Sequence, residues 1–384
     1  MRVLFWSPVF WPKIGGVEVH AAKLLPALRA RGYEFLVLTT QTSSDQPESD
    51  DYEGIPVYRL GFWQYDNYNQ IDALVKIRRK VAAIKRAFSP ELLHINAVDV
   101  GNFFHLLTAN VVPAPLLVTL HGEWLAKQNA VIKQTLQAAD WVAGCSQAVL
   151  NKGLELAPEI ISRSSIIYNG LEAPSLVPSA LPFEGPRLLC LGRLSPEKGF
   201  DLAVKSFEIV LKNFPDARLL MAGNGPVRLE LEEQAVQLEI RDHVDFLGWI
   251  GPAHVPALIN TATIVLMPSR QESLPLVALE SGLMARPIVA TRIGGLPEVI
   301  ADGQTGLLVE PEDHRALANA VSLLLRRREL AFELGNAARS RVQQLFSWKT
   351  HVDGYDALYK KLARKNDRDT RLPIAPADLE KICE

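Results

Sequence analysis

Three cysteines in 384 residues are too few and too scattered to organise a fold. Cys145, Cys190 and Cys383 are odd in number and far apart, which argues against a disulfide framework and against a zinc site. The first two sit in apolar runs and read as small buried hydrophobes, suited to a reducing cytoplasm. Neither sign of charge is in excess. The 41 Lys and Arg against 43 Asp and Glu leave a net charge of −2, which excludes a strongly basic nucleic-acid binder. No uncharged apolar run approaches the length of a membrane span. Met1–Phe10 lacks the charged start and cleavage site of a signal peptide, so a cytoplasmic protein is expected. The dinucleotide fingerprint G-x-G-x-x-G is absent, which counts against a nicotinamide or flavin enzyme. There is no internal repeat and no low-complexity block.

What is present is an ordinary globular composition, 48% hydrophobic and 22% charged, at a length that suits two domains. Short apolar runs alternate with helical patterns. Arg2–Trp6, Glu34–Thr39, Leu92–Asn96, Leu116–Leu120 and Trp141–Gly144 read as buried strands. Val17–Arg31, Ile71–Phe88 and Ala126–Ala138 between them have helical spacing. The segment Leu171–Pro186, with Pro174, Pro178, Pro182 and Pro186, reads as a linker. The pattern then restarts with strands at Arg187–Leu191, Arg218–Met221, His243–Phe246, Ile264–Met267, Pro287–Ala290 and Gly306–Val309. Helices are expected at Asp201–Asn213, Val227–Gln237, Leu276–Met284 and Pro311–Arg328.

The expected fold is therefore α/β, with two doubly wound, Rossmann-like domains and an interdomain cleft. The expected bounds are a first domain over 1–170, a linker over 171–186 and a second domain over 187–346. A helix over 347–365 returns toward the first domain, and a polar tail fills 366–384. Ligands of such sheets bind beyond the carboxyl ends of the strands.

Several strand ends carry unusual residues. Gly15-Gly16 lies between the first strand and the first helix, where backbone can approach a ligand and free helix amides can meet an anion. His121-Gly122 ends a buried strand, a place that suits contact with a polar substrate. In GRLSPEKG, Arg193 and Lys198 follow a strand and can hold phosphate oxygens, although the loop is not a Walker motif. Gly223-Asn224 and the Trp249-Ile250 region end two further strands. Each of these alone also reads as a plain turn, a structural histidine or a solvated loop.

Glu272 and Glu280 stand with seven residues between them in PSRQESLPLVALESG. Ser273 is the expected N-cap and Pro275 the expected first turn, which puts Glu272 before the helix and Glu280 inside it. With a rise of ~1.5 Å per residue the two carboxylates cannot touch, so they are no acid–base couple on one bond. They would flank an elongated ligand with an anionic middle over the helix N-terminus. A nucleotide sugar has that form.

The combination of GRLSPEKG, the Glu272–Glu280 pair and ATRIGGLPEVI, in that order, resembles the retaining glycosyltransferases of family 4, which have the GT-B fold. The resemblance spans nearly the whole chain, from Arg2 to about Lys361. It implies a retaining, hexosyltransferase-type enzyme that moves a sugar from a nucleoside-diphosphate sugar to a hydroxyl acceptor, in cell-surface polysaccharide or glycoconjugate biosynthesis. The acceptor would be a glycan, a lipid-linked sugar or a small molecule. Glu280 would hold ribose; Arg193, Lys198, the amides of Leu276 and Val277 and the Gly15-Gly16 loop would hold diphosphate. Glu272 and His121 would touch the transferred sugar, Gly223 and Asn224 the nucleoside, and Glu18 and Asn96 the acceptor side. No metal and no other cofactor is implied. Two positions depart from the family pattern. Leu274-Pro275 replaces a frequent aromatic-glycine pair, and Asn96 stands where a strand often ends in histidine.

A nucleotide-sugar epimerase of the same fold, or a non-catalytic sugar-nucleotide or glycan-binding subunit, would share much of this pattern. The basic helix Lys76–Arg86 reads either as a solvated face or as a weak contact with anionic membrane, which would place the protein peripherally at the inner membrane face. Asp367 and Asp369 make the one clear D-x-D match, in the polar tail.

Overall fold

The computed structural model describes residues 1–12, 15–62, 71–99, 101–122 and 129–366. Cys383, the Asp367/Asp369 pair and the tail lie outside the described residues. The chain divides into two compact units. Unit 1 is Met1–Ile167 together with the segment from His351, and unit 2 is Tyr168–Thr350.

Unit 1 is built on β1 (Arg2–Ser7), α1 (Gly16–Arg29), β2 (Glu34–Thr40), β3 (Ser49–Tyr52), β4 (Ile55–Leu60), α2 (Ile71–Phe88), β5 (Leu92–Asn96) and α3 (Asn102–Leu107). Then come β6 (Leu116–Leu120), α4 (Asn129–Ala138), β7 (Trp141–Gly144), α5 (Gln147–Leu156) and β8 (Ser164–Ile166). The strand order is β3-β4-β2-β1-β5-β6-β7-β8, parallel throughout except for the β3–β4 hairpin. Strands β5 and β6 are buried at every residue and β1 from Val3 on, because helices cover both faces of a parallel sheet; Leu4, Phe5, Ile95 and Val118 are fully buried. The β3–β4 hairpin was not expected. Its sequence is polar and half exposed, and its turn is closed by Asp51 accepting from the Gly54 amide at 2.6 Å.

The C-terminal helix, Trp348–Asn366, enters the core of unit 1 from His351 on. Its Tyr359 and Tyr355 are 0% and 1% exposed. The Tyr359 hydroxyl lies 2.6 Å from His94 Nδ1, and His94 Nε2 lies 2.8 Å from Thr119 Oγ1, which in turn lies 3.2 Å from the Tyr355 hydroxyl. Every polar atom of a fully buried imidazole is thus matched, as burial requires. Burial first, and His121 second, pushes the His94 pKa down to about 3, so the ring is neutral.

Unit 2 runs β9 (Arg187–Leu191), α6 (Phe200–Leu211), β10 (Arg218–Ala222), α7 (Arg228–Gln237), β11 (Val244–Gly248), α8 (Val255–Asn260) and β12 (Ile264–Met267). It continues α9 (Leu276–Leu283), β13 (Ile288–Thr291), α10 (Leu296–Val299), β14 (Leu307–Val309), α11 (His314–Arg326) and α12 (Arg328–Leu345). The all-parallel sheet has the order β11-β10-β9-β12-β13-β14. Cys190 and Met221 from the strands pack with Phe207 of α6 and Val321 of α11. Cys145 and Cys190 are buried free thiols. The helix expected over Pro311–Arg328 is α11, which ends at Arg326 because Arg327 leaves helical geometry at φ −107 and ψ 75, and α12 beyond it was not expected.

The proline-rich segment does not hang free. Arg286, fully buried, donates to the Ser179 carbonyl at 2.5 Å, the Asn260 side-chain oxygen at 2.7 Å and the Ala262 carbonyl at 3.1 Å. The expected basic face of α2 is also smaller than its sequence implies. Lys85 is fully buried, with its amine 3.2 Å from the Thr108 carbonyl, and Lys80 pairs with Glu48 at 2.5 Å. Among the described residues no helix is long and apolar enough to cross a membrane.

Tyr359→Phe leaves His94 Nδ1 buried without its partner. Removing one side of such a pair costs about 1–3 kcal/mol. Urea unfolding should show the transition of unit 1 moved to lower denaturant by that amount, with the transition of unit 2 unmoved.

Candidate active site

In unit 2 the loops after β9, β10 and β11 form one continuous rim. The Gly192 amide donates to the Ala222 carbonyl at 2.9 Å, Gly223 to Gly248 at 2.7 Å and Leu194 to Asn224 at 2.9 Å. Gly223 has φ +138, and a Cβ there would overlap the Gly192 carbonyl oxygen. Only glycine fits so close an approach at that angle. The Asn224 side-chain oxygen accepts from Arg228 at 2.9 Å, so it is turned toward α7. Trp249, just past β11, is 64% exposed.

The segment that carries Glu272 is wedged between two neighbouring loops. On one side, the Glu197 carbonyl accepts from the Arg270 amide at 2.8 Å. Arg270 then forks onto Asp201 at 2.7 and 2.9 Å and reaches Glu312 at 2.6 Å. These carboxylates raise the Arg270 pKa, and Arg270 holds Asp201 below the ordinary carboxylate range despite burial. On the other side, Gly294 sits at φ +53, where a Cβ would overlap the Glu272 carbonyl oxygen. The Gly295 amide donates to that same oxygen at 3.2 Å. The three sequence pieces GRLSPEKG, PSRQE and TRIGG are thus one packed unit.

Glu272 is 8% exposed. Its Oε1 accepts from Lys198 Nζ at 2.7 Å and from Ser269 Oγ at 2.9 Å. Ser269 is fixed in turn, because Thr291 Oγ1 donates to its carbonyl at 2.5 Å. A carboxylate this buried needs both a counter-charge and a hydrogen bond, and it has them. Ser269 and Thr291 were not singled out in the sequence. Ser269 lies only three residues before Glu272, but nothing in its identity marks the bond.

The helix start differs from expectation. The N-cap of α9 is Pro275, at φ −74 and ψ 120, and no side chain caps the helix. Ser273 is therefore not the cap, because the chain is still extended at Pro275, two residues later. The Leu276 and Val277 amides open the helix with no intrahelical acceptor, as the first amides of any helix do. Glu280 lies in the second turn, half-buried. Arg193 is exposed, and its guanidinium makes no hydrogen bond to a described residue.

In unit 1, Gly15 is the extended N-cap of α1 at φ −155, and the Glu18 carboxylate folds back over it. His121 Nε2 lies 2.8 Å from Asn96 Oδ1, joining the ends of β6 and β5. Burial first, and His20 second, pushes the His121 pKa down to about 3. The structure therefore brings Lys198 to Glu272, and Asn96 to His121, as direct pairs.

Comparison with known sequences agrees with this layout. The pattern described as Glycosyltransferase Family 4 matches residues 14–173, and that described as Glycosyl transferases group 1 matches residues 177–341. The chain belongs to glycosyltransferase family 4. It is a GT-B glycosyltransferase with a sugar-nucleotide donor. It is 28% identical to the glycogen synthase of Mycobacterium tuberculosis strain H37Rv over 97% of this chain and 98% of that protein. The solved sucrose-phosphate synthase of Thermosynechococcus elongatus is 24% identical, with a TM-score of 0.79 over 94% of this chain and 99% of that one. The structure of Anabaena Alr3699/HepE in complex with UDP is 20% identical, with a TM-score of 0.77 over 94% of this chain and 100% of that one.

In this family 4 chain, Gly294→Ala must displace the Glu272 backbone. Gly303 is a control, since it also has positive φ, at 69°, but open space around its Cβ. Left-handed strain alone costs about 1–2 kcal/mol. Thermal unfolding should show Gly294→Ala losing clearly more than Gly303→Ala, and only Gly294→Ala should lose glycosyl transfer.

Proposed function

We propose that the protein is a retaining glycosyltransferase that moves a sugar from a nucleoside-diphosphate sugar to an acceptor hydroxyl, without a metal, in the making of a cell-surface polysaccharide or glycoconjugate. The observation that carries this reading is the Lys198–Glu272 pair, held beside the open amino terminus of α9. It sets a cation against a short stretch of backbone that carries two free amides and two carboxylates. A diphosphate over the α9 terminus would meet the Leu276 and Val277 amides, Lys198 and the unengaged Arg193. Glu280 would take the two ribose hydroxyls, and Gly223, Asn224 and Trp249 would neighbour the nucleoside. Glu272 would hold hydroxyls of the transferred sugar.

In unit 1, His121 would contact a sugar hydroxyl, and the Gly15-Gly16 loop would suit the approach of a phosphate. Glu18 and Asn96 would serve the acceptor side. HepE is solved with UDP bound, which supports a nucleoside diphosphate as the leaving group in this chain. Negative charge grows on that leaving group as the glycosidic bond breaks. Lys198 and Arg193 stabilise it there, and the departing phosphate takes the acceptor proton on the face the acceptor attacks, which retains configuration. The exposed face of α2, with Lys76, Arg78, Arg79 and Arg86 beside Ile71 at 70% exposure, suits a weak contact with anionic lipid at the inner membrane face.

The two glutamates should separate in kinetics. Glu280→Gln weakens ground state and transition state alike, so it raises the donor KM and weakens nucleoside diphosphate binding by about 1.5–3 kcal/mol. Glu272→Gln instead lowers kcat and leaves nucleoside diphosphate affinity nearly unchanged. Calorimetry on both variants beside steady-state kinetics decides it. Equal losses of nucleoside diphosphate affinity would mean that the donor does not lie with its ribose at Glu280 and its sugar at Glu272.

Transfer should also survive EDTA, since Lys198 and Arg193 supply the positive charge. Complete loss that Mg²⁺ or Mn²⁺ restores would contradict that charge assignment.

A further inference from the structure

Two buried polar atoms at adjoining strand ends of unit 1 lack a hydrogen-bond partner among the described residues, Asn96 Nδ2 and His121 Nδ1. Asn96 is 3% exposed. Orphaned buried polar atoms are rare and costly, at about 1–3 kcal/mol each, so two of them on hydrogen-bonded neighbours call for a ligand. The two side chains already meet each other, with His121 Nε2 2.8 Å from Asn96 Oδ1. An amide oxygen can only accept, so Nε2 carries the hydrogen. A neutral imidazole has one hydrogen, which leaves Nδ1 bare, its lone pair turned away from Asn96.

The surroundings keep that ring neutral. The titratable groups on the elements around it are Glu18 and His20 of α1, His94 of β5, Asp99 beyond β5, Cys145 beyond β7, and His351 and Tyr355 of the C-terminal helix. His351 stacks edge-on against His20 at 4.2 Å. Burial and the nearby His20 both oppose protonation of His121.

We propose that Asn96 is a positioning residue that fixes His121 in its Nε2-protonated tautomer, so that Nδ1 accepts a hydrogen bond from a hydroxyl of a polyhydroxylated ligand. The unmatched Asn96 Nδ2 remains as a donor to a ligand oxygen. One bare acceptor and one spare donor, with no charge on either, match sugar hydroxyls and discriminate against an anion. The inference rests on the reading of His121 as a sugar contact, and it assigns the direction of the hydrogen bond and the residue that sets it.

The tautomer can be read in the empty protein by long-range proton–nitrogen NMR of the ¹⁵N-histidine-labelled full chain, with His121→Gln to assign the ring. The expected spectrum shows His121 protonated at Nε2 alone, unchanged between about pH 5.5 and 8. Asn96→Asp replaces the amide with an anion, which favours the imidazolium and its Nδ1 hydrogen. In that variant the ring should take up a second proton within this range. The donor KM of Asn96→Asp relative to the unsubstituted protein should then rise about tenfold as pH falls across it. A ring protonated at Nδ1 in the unsubstituted protein overturns the inference, whatever reaction the enzyme performs. So does a ratio of KM values that stays flat with pH while the Asn96→Asp ring is seen to protonate. A failed transfer assay with the expected tautomer leaves Asn96 in its role and counts against the sugar contact instead.

Discussion

A carboxylate that is 8% exposed constrains everything around it in unit 2. Taking Glu272 out of water is unfavourable by several kcal/mol unless a counter-charge and hydrogen bonds replace the lost hydration. Lys198 and Ser269 do so on one oxygen. For Lys198 to reach it, the loop after β9 must lie against the loop after β12, and the Glu197 carbonyl bonded to the Arg270 amide holds it there. For Ser269 to reach it, the backbone must stay close to Thr291. That closeness removes the space for any side chain at Gly294. The glycines, the lysine and the arginine of three separated sequence pieces are therefore answers to one electrostatic requirement.

The two units differ in the kind of polarity they present at their strand ends. Unit 2 presents fixed charge, in Lys198, Glu272 and the exposed Arg193. Unit 1 presents neutral hydrogen-bonding groups, in Asn96 and an imidazole that burial keeps uncharged. Fixed charge attracts ionic ligands across several ångströms, whereas neutral groups discriminate only at contact distance.

Much of the fold was legible because buried parallel strands are continuous apolar runs. The bounds read for β5, β6, β7, β9 and β12 agree with those observed. The β3–β4 hairpin escaped notice because SDDYEGIPVYRL is half polar and lies at a sheet edge, where alternation is weak. Short helices such as α3 and α10 span too few residues to show a period. In the site, Glu272 and Glu280 stood out because charge is rare in an apolar stretch. Ser273 misled because serine before a helix usually caps it, and Pro275 overrode that preference. Ser269 and Thr291 were invisible because their link runs through a backbone carbonyl, across 22 residues of sequence. The same holds for Asn96, whose identity drew attention but whose bond to His121 crosses two strands.

The C-terminal helix adds a temporal constraint. The first unit of the chain is closed by residues that a ribosome makes after all of unit 2, since Tyr355 and Tyr359 complete the hydrogen bonds of His94 and Thr119. Unit 2 draws on a single unbroken stretch, Tyr168–Thr350, and has no such dependence. During synthesis, the inner unit has all its residues available before the outer one does. Until the final helix arrives, His94 and Thr119 rest in a half-built core, and a nascent chain must keep that surface from sticking elsewhere.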